Sequence, residues 1–149
     1  MLYSEFRFRM KILYIVRGLS GSGKSSVAKE LVNQIWDSES ESFIKDFYSA
    51  DDYFTDEKGN YNFDPNKLKE AHEECQKKVE LAMQRDCVRK IAVANTFSQA
   101  WEAEPYFKLA EQYEFNPFVL ECQNNFGNIH GVPQKSIDKM KERWEYRLI

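Results

Sequence analysis

The run Gly18-Leu-Ser-Gly-Ser-Gly-Lys24-Ser25 constrains this chain more than anything else in it. It follows Lys11-Ile-Leu-Tyr-Ile-Val-Arg17, a continuous apolar stretch of the kind that forms a buried parallel strand. After it, Val27, Ala28, Leu31, Val32 and Ile35 recur at helical spacing, which predicts an amphipathic helix to about Trp36. Strand, glycine turn and helix in that order satisfy the pattern GxxxxGK[ST] in the context that gives it meaning. Gly18, Gly21 and Gly23 let the chain curl so that successive backbone N–H groups face one anion. Ser20, Ser22 and Ser26 add hydroxyls around the same cradle, and the helix start adds its positive dipole end. Lys24 can reach the outer phosphates and the Ser25 hydroxyl can ligate Mg²⁺. A nucleoside triphosphate such as ATP, with Mg²⁺, is the implied ligand.

Downstream, a short strand is expected to end near Ser49, with others at Lys90–Ala94 and Phe118–Glu121. Gly59-Asn60 marks a loop over 56–64, and Asp64-Pro65 opens a helix to about Arg85. A further helix is expected from about Glu104 to Tyr113. Pro133 opens a last one, with Ile137, Met140, Trp144 and Leu148 on one stripe. Strands alternating with helices specify an α/β fold: three layers, about five parallel strands, helices on both faces. Residues 10–149 form one domain of that kind, and residues 1–9 read as an N-terminal arm or extension.

Composition narrows the classes. The longest apolar run, Ile12 to Val16, is too short for a membrane span or a signal peptide, so a cytoplasmic protein without a membrane partner is expected. A net charge of −3 argues against a broad basic face that coats nucleic acid. Three widely spaced cysteines without a CxxC pair argue against a disulfide scaffold or a zinc centre.

Asp51-Asp52 lies 27 residues after Lys24, just past a predicted strand. Carboxyl ends of parallel strands share one edge, so a carboxylate there reaches the phosphate site. It could take a proton from an attacking hydroxyl or hold water on the metal. Two adjacent turn residues rarely point the same way, so one of the pair is expected at the site and the other as a cap. Tyr53, Phe54, Phe97 and Trp101 lie near the same edge and are candidates to stack on a base. The two histidines, His72 and His130, have both structural and functional readings.

Taken with the phosphate loop, the segments Ser49-Ala-Asp-Asp-Tyr-Phe54, Ala71-His-Glu73, Asn95-Thr96 and His130-Gly-Val-Pro133 resemble the polynucleotide-kinase-like P-loop kinases. This AAA-domain ATP-binding family includes the kinase domain of phage polynucleotide kinase, and the resemblance covers roughly residues 11–147. It implies transfer of the γ-phosphate of ATP to a 5′-hydroxyl of single-stranded RNA or DNA. In that reading Lys24 clamps the phosphates and Asp51 is the base, with Ser25 and Asp51 beside the metal. Asp52, Asn95 and Thr96 border the acceptor, 127–133 is the lid, and Arg143 contacts nucleotide. Ala94, Gly127 and Phe54 stand where the family carries a carboxylate, a lid arginine and an acceptor-gripping arginine. Those departures keep two alternatives open: a nucleotide-binding switch without transfer, and a kinase for a nucleoside or other small metabolite.

Overall fold

The computed structural model describes residues 10–32, 35–39, 41–127 and 131–148. The arm expected over residues 1–9, and His130, lie outside them. Strand β1 (Ile12–Gly18) runs into the glycine loop, and helix α1 (Lys24–Leu31) leaves it. A small antiparallel pair follows, β2 (Ile35–Asp37) and β3 (Ser42–Ile44), then β4 (Phe47–Tyr48). Helix α2 (Leu68–Met83), strand β5 (Lys90–Asn95), helix α3 (Ala100–Gln112), strand β6 (Asn116–Cys122) and helix α4 (Gln134–Glu142) complete the described chain.

The main sheet has the order β4-β5-β1-β6, with every pairing parallel. Four of the about five expected strands are thus in it among the described residues. Alternation along each strand splits the core into two layers. Leu13, Ile15, Ile91 and Val93 face α2 and α3, where they meet Val79, Ala103 and Tyr106. Val16, Ala92 and Ala94 face α1, where they meet Ala28 and Val32. Helices on both faces of a parallel sheet make the expected three-layer P-loop fold. None of the described helices is long and apolar enough to cross a membrane.

From β1 the chain moves outward to β4 on one side, returns to β5, and then crosses to β6 on the other side. The winding direction changes at β1, so a crevice opens at the carboxyl ends of β1 and its neighbours. Register places Arg17 beside Asn95 and Gly18 beside Cys122 at that edge.

Three helix ends differ from the sequence expectation. Helix α1 stops at Leu31, and Ile35–Asp37 pairs with Ser42–Ile44 instead of continuing it. Cross-strand pairing of Ile35 with Ile44 and Trp36 with Phe43 overrides a helical period that β-branched residues support weakly. Helix α3 starts at Ala100, before Pro105, because Glu102 caps its first turn by accepting the Gln99 N–H at 2.7 Å. Helix α4 ends at Glu142: the Glu145 N–H turns away to the Ser98 carbonyl at 2.7 Å, and Trp144 leaves the stripe.

Candidate functional site

The phosphate loop closes on itself in the way an anion cradle requires. Gly21 and Gly23 adopt φ of 79° and 87°, in the left-handed region that favours glycine. A methyl group on Gly21 would meet the Gly127 carbonyl, and one on Gly18 would meet the Ser22 hydroxyl. The Ser22 Oγ is buried without a hydrogen-bond partner among the described residues, which suits a loop built to hold a polar ligand. Lys24 folds inward and donates from Nζ to the Leu19 carbonyl at 3.4 Å, a long contact that a phosphate would replace. Burial pulls the Lys24 ammonium below its ordinary pKa, while the Asp51 charge acts in the opposite direction. The loop residues therefore fit a triphosphate.

Segment 123–127 lies against this loop. The Phe126 N–H donates to the Gly21 carbonyl at 2.7 Å, and the Phe126 ring rests on Gly23. Gly127 itself sits at φ 100°.

Across the cleft, Ser49 caps a 3-10 turn over Ala50–Phe54. The two aspartates of that turn have separate tasks. Asp52 Oδ2 accepts the Ser49 N–H at 3.2 Å, so Asp52 serves the cap and does not line the cleft. Burial raises the pKa of its carboxyl. Asp51 lines the cleft, and its Oδ1 accepts the Tyr61 hydroxyl at 3.2 Å. Burial and the Asp51 charge push the Tyr61 phenol well up, which keeps it protonated and donating. Asn95 ties this turn to the sheet, its Oδ1 accepting the Ala50 N–H at 2.8 Å.

These elements enclose a cavity of about 330 Å³. Ser20 and Lys24 form its phosphate side, with Asn95 and Thr96 at the strand end. Tyr61, Phe63, Leu68, His72 and Glu102 line the opposite side. Helix α4 and the residues before it cover the top through Val132, Pro133, Met140 and Arg143.

Arg143 is held by a relay: its Nε donates to Ser98 Oγ at 2.9 Å, and that hydroxyl donates to Glu102 Oε2 at 2.7 Å. Behind the relay, buried Arg17 donates to the Phe97 carbonyl from Nε and Nη2, at 3.1 and 2.6 Å. It also stacks at 4.0 Å on the Trp144 ring.

Ser20 and Lys24 of the phosphate loop, Asp51, Asn95 with Thr96, and Arg143 come from four separate stretches of the sequence, and all border this one cleft. The aromatic candidates do not. Phe97 is buried against Tyr106, Phe54 lies beneath Tyr61 and Phe63, Trp101 points to solvent, and Tyr53 donates to Glu70. Tyr61, Phe63 and Glu102 are cleft residues that sequence reasoning missed. The alternation Tyr61-Asn62-Phe63 after the Gly59-Asn60 turn was the available signal for the first two, since it puts both rings on one face. Nothing local marks Glu102.

The sequence profile of the AAA domain matches residues 13–125. NEDD4-binding protein 2 of Homo sapiens is 34% identical over 143 residues, 90% of this chain but only 8% of that protein. The uncharacterized protein PM0531 of Pasteurella multocida (strain Pm70) is 29% identical over 137 residues, 88% of this chain and 75% of that protein. Among solved structures, the AvrRxo1-ORF1:-ORF2 complex superposes with a TM-score of 0.51 at 16% identity, covering 79% of this chain and 38% of that one. That likeness concerns the fold. The matched region runs from β1 through the phosphate loop and the Asp51 turn to the segment beyond β6, and the chain belongs to the AAA-domain family of P-loop, kinase-like proteins.

Proposed function

We propose that this chain is an ATP- and Mg²⁺-dependent phosphotransferase whose acceptor is a hydroxyl, concretely the 5′-hydroxyl of RNA or DNA, working in the cytoplasm. The observation that carries the reading is one cavity bordered by Lys24 on the phosphate side and by Asp51, fixed by Tyr61, on the other. Phosphoryl transfer asks little covalent chemistry of a protein beyond positioning and charge compensation, and this cavity supplies both. Backbone N–H groups of the loop and Lys24 would hold the β- and γ-phosphates. Asp51 would accept the proton as the hydroxyl oxygen bonds to the γ-phosphorus and the bond to the bridging oxygen breaks, releasing ADP. Arg143, anchored through Ser98 and lining the same cavity as Lys24, would help to offset charge on the phosphoryl group.

Among the described residues no three His, Cys, Asp or Glu side chains converge on a metal-sized site. Ser25 at the start of α1 and Asp51 on the cleft, with the phosphates of the nucleotide, are the groups that would hold Mg²⁺. Bound there, the ion would neutralise phosphate charge.

Gly127 and Ala94 favour a second reading, in which the loop binds nucleotide without transfer. One experiment separates the two. The full chain is given γ-labelled ATP with 5′-hydroxyl oligonucleotides and with free nucleosides, and Lys24→Ala and Asp51→Asn serve as controls. Label on the oligonucleotide that both substitutions abolish supports the transferase. ATP binding without label on any oligonucleotide or nucleoside refutes it and supports the switch.

A further inference from the structure

We propose that Ser98, oriented by Glu102, is a positioning residue that aims the two terminal guanidinium nitrogens of Arg143 at the γ-phosphate, and so makes the site prefer ATP to ADP. The inference rests on the transferase reading above for where the γ-phosphate lies, and it gives Ser98 and Glu102 a task there.

The hydrogen bonds at Ser98 have only one arrangement. A serine hydroxyl has one proton to donate, and a carboxylate can only accept. The proton therefore goes to Glu102 Oε2 at 2.7 Å, which leaves a lone pair for the Arg143 Nε–H at 2.9 Å. Glu102 is itself fixed, because the same Oε2 accepts the Gln99 N–H at 2.7 Å. Ser98 is fully buried, and its carbonyl accepts the Glu145 N–H at 2.7 Å, two residues beyond Arg143. One residue of the β5–α3 turn thus holds the end of α4 by side chain and backbone alike. Phe97, just before it, is kept at φ 46°, a strained conformation that persists where the surroundings over-determine it.

This anchor uses only Nε. Among the described residues neither terminal nitrogen of Arg143 has a hydrogen-bond acceptor, and no carboxylate pairs with its guanidinium. Buried Arg17 is the opposite case, with all three nitrogens turned to the Phe97 carbonyl or Glu121. The Ser98 hydroxyl stands between Arg143 and Glu102 and keeps them from closing into an ion pair, so the charge stays available. Arg143 also lines the same cavity as Ser20 and Lys24 of the phosphate loop. A planar guanidinium held at Nε, with both Nη groups open, matches two oxygens of one phosphate. ADP carries no γ-phosphate, so the fork strengthens ATP binding alone.

The test measures binding, so it does not depend on turnover. The full chain is titrated calorimetrically, in Mg²⁺, with a non-hydrolysable ATP analogue and with ADP, and the ratio of the two affinities is read. A general loosening of the phosphate loop weakens both ligands together and leaves that ratio where it was. Ser98→Ala should lower the ratio about tenfold, the size of one hydrogen bond to a charged group, and Arg143→Ala at least as much. The double variant should lose no more than Arg143→Ala alone, because Ser98 acts only through Arg143. Arg143→Lys keeps the charge but has no fork to divide between Ser98 and a phosphate, so it should not keep the ratio. That variant also tests the inference if Ser98→Ala does not fold. An unchanged ratio in Ser98→Ala or Arg143→Ala, multiplying losses in the double variant, a full ratio in Arg143→Lys, or no binding of the analogue at millimolar concentration would each overturn it. The expected ratios without γ-phosphate transfer to any acceptor remove the transferase reading and leave the positioning. Full transfer by Ser98→Ala with its ratio intact does the reverse.

Discussion

Arg17 makes an unusually sharp test of how the cleft is held together. It is the last residue before the phosphate loop and is only 1% exposed, although its side chain is a guanidinium. Its Nε and Nη2 both donate to the Phe97 carbonyl, at 3.1 and 2.6 Å, and Nη1 lies 3.8 Å from Glu121. Trp144 covers its plane at 4.0 Å and donates to Glu121 Oε1 at 2.9 Å. Phe97 itself sits at φ 46°, a left-handed conformation that costs a non-glycine residue ~1–2 kcal/mol and persists only where its surroundings hold it. Replacing Arg17 by Met keeps volume but leaves a buried carbonyl without its charged donor, a loss of ~1–3 kcal/mol. The stacked cation contributes ~1–2 kcal/mol more. Against these stands the desolvation of the guanidinium, which lowers its pKa and is relieved by the substitution. The net expectation is a loss of about 2–4 kcal/mol. Urea unfolding followed by tryptophan fluorescence measures it, with an unchanged slope showing that stability alone has moved. Arg17→Lys should fail to restore the loss, because an ammonium cannot fork onto one carbonyl and stack on an indole together. A loss below ~1 kcal/mol, or full rescue by Lys, would refute the reasoning.

Further expectations follow from the same geometry. Lys24→Met should abolish detectable ATP binding by calorimetry while leaving thermal stability unchanged or slightly raised, since a desolvated ammonium whose protein acceptor is a 3.4 Å carbonyl contact contributes little to folding. Gly21→Ala combines a positive φ with a clash against the Gly127 carbonyl, so it should cost roughly 1–3 kcal/mol in urea unfolding and weaken ATP at least tenfold. Buried Asp46, whose Oδ1 accepts from Tyr48 at 3.0 Å and lies 3.7 Å from Arg85, has its carboxyl pKa raised by burial. The folded state then binds the proton more firmly than the unfolded chain. This contribution is present at low pH and is lost as pH rises through the raised pKa. In paired thermal melts, Asp46→Asn should therefore gain on the wild type as pH rises from 4.5 to 7; a difference that stays flat or moves the other way would exclude Asp46 as the titrating group.

What could be read from sequence was what is contiguous. The phosphate loop is one run of residues whose backbone task dictates its glycines, and strand, turn and helix on either side confirm it locally. The Asp51 turn was legible as a carboxylate past a strand end, and its cap explains the partition between the two aspartates: the Asp52 side chain is consumed by the Ser49 N–H. Long-range competition was not legible. Val32 and Ile35 keep a helical period on paper, but pairing with Phe43 and Ile44 takes Ile35–Asp37 into a strand. Trp144 and Leu148 continue the stripe of α4 on paper, whereas Trp144 is drawn off by Arg17 and the Glu145 N–H by Ser98. The Arg143–Ser98–Glu102 relay joins residues from the α3 start and the α4 end, and no local pattern announces it.

The glycine at 127 also has a physical reading that the sequence alone did not supply. Its φ of 100° lies where a side chain is strained, although an added Cβ would meet nothing within 4 Å. The strain is set by the Gly21 contact: the Phe126 N–H reaches the Gly21 carbonyl, and the Gly127 carbonyl fills the space beside the Gly21 α-carbon. An arginine at 127 would have room for its side chain but would pay ~1–2 kcal/mol for its backbone, or would pull segment 123–127 off the loop. A tight seal over the phosphate loop and a cation at position 127 are thus competing demands on the same backbone. Helix α4 carries its cation free of that conflict, because Arg143 reaches the cleft from a helix terminus anchored through Ser98 and not from the segment that seals the loop. A glycine at 127 is what the contact with Gly21 requires, and the proposed transfer then needs Arg143 to supply the charge from the other side.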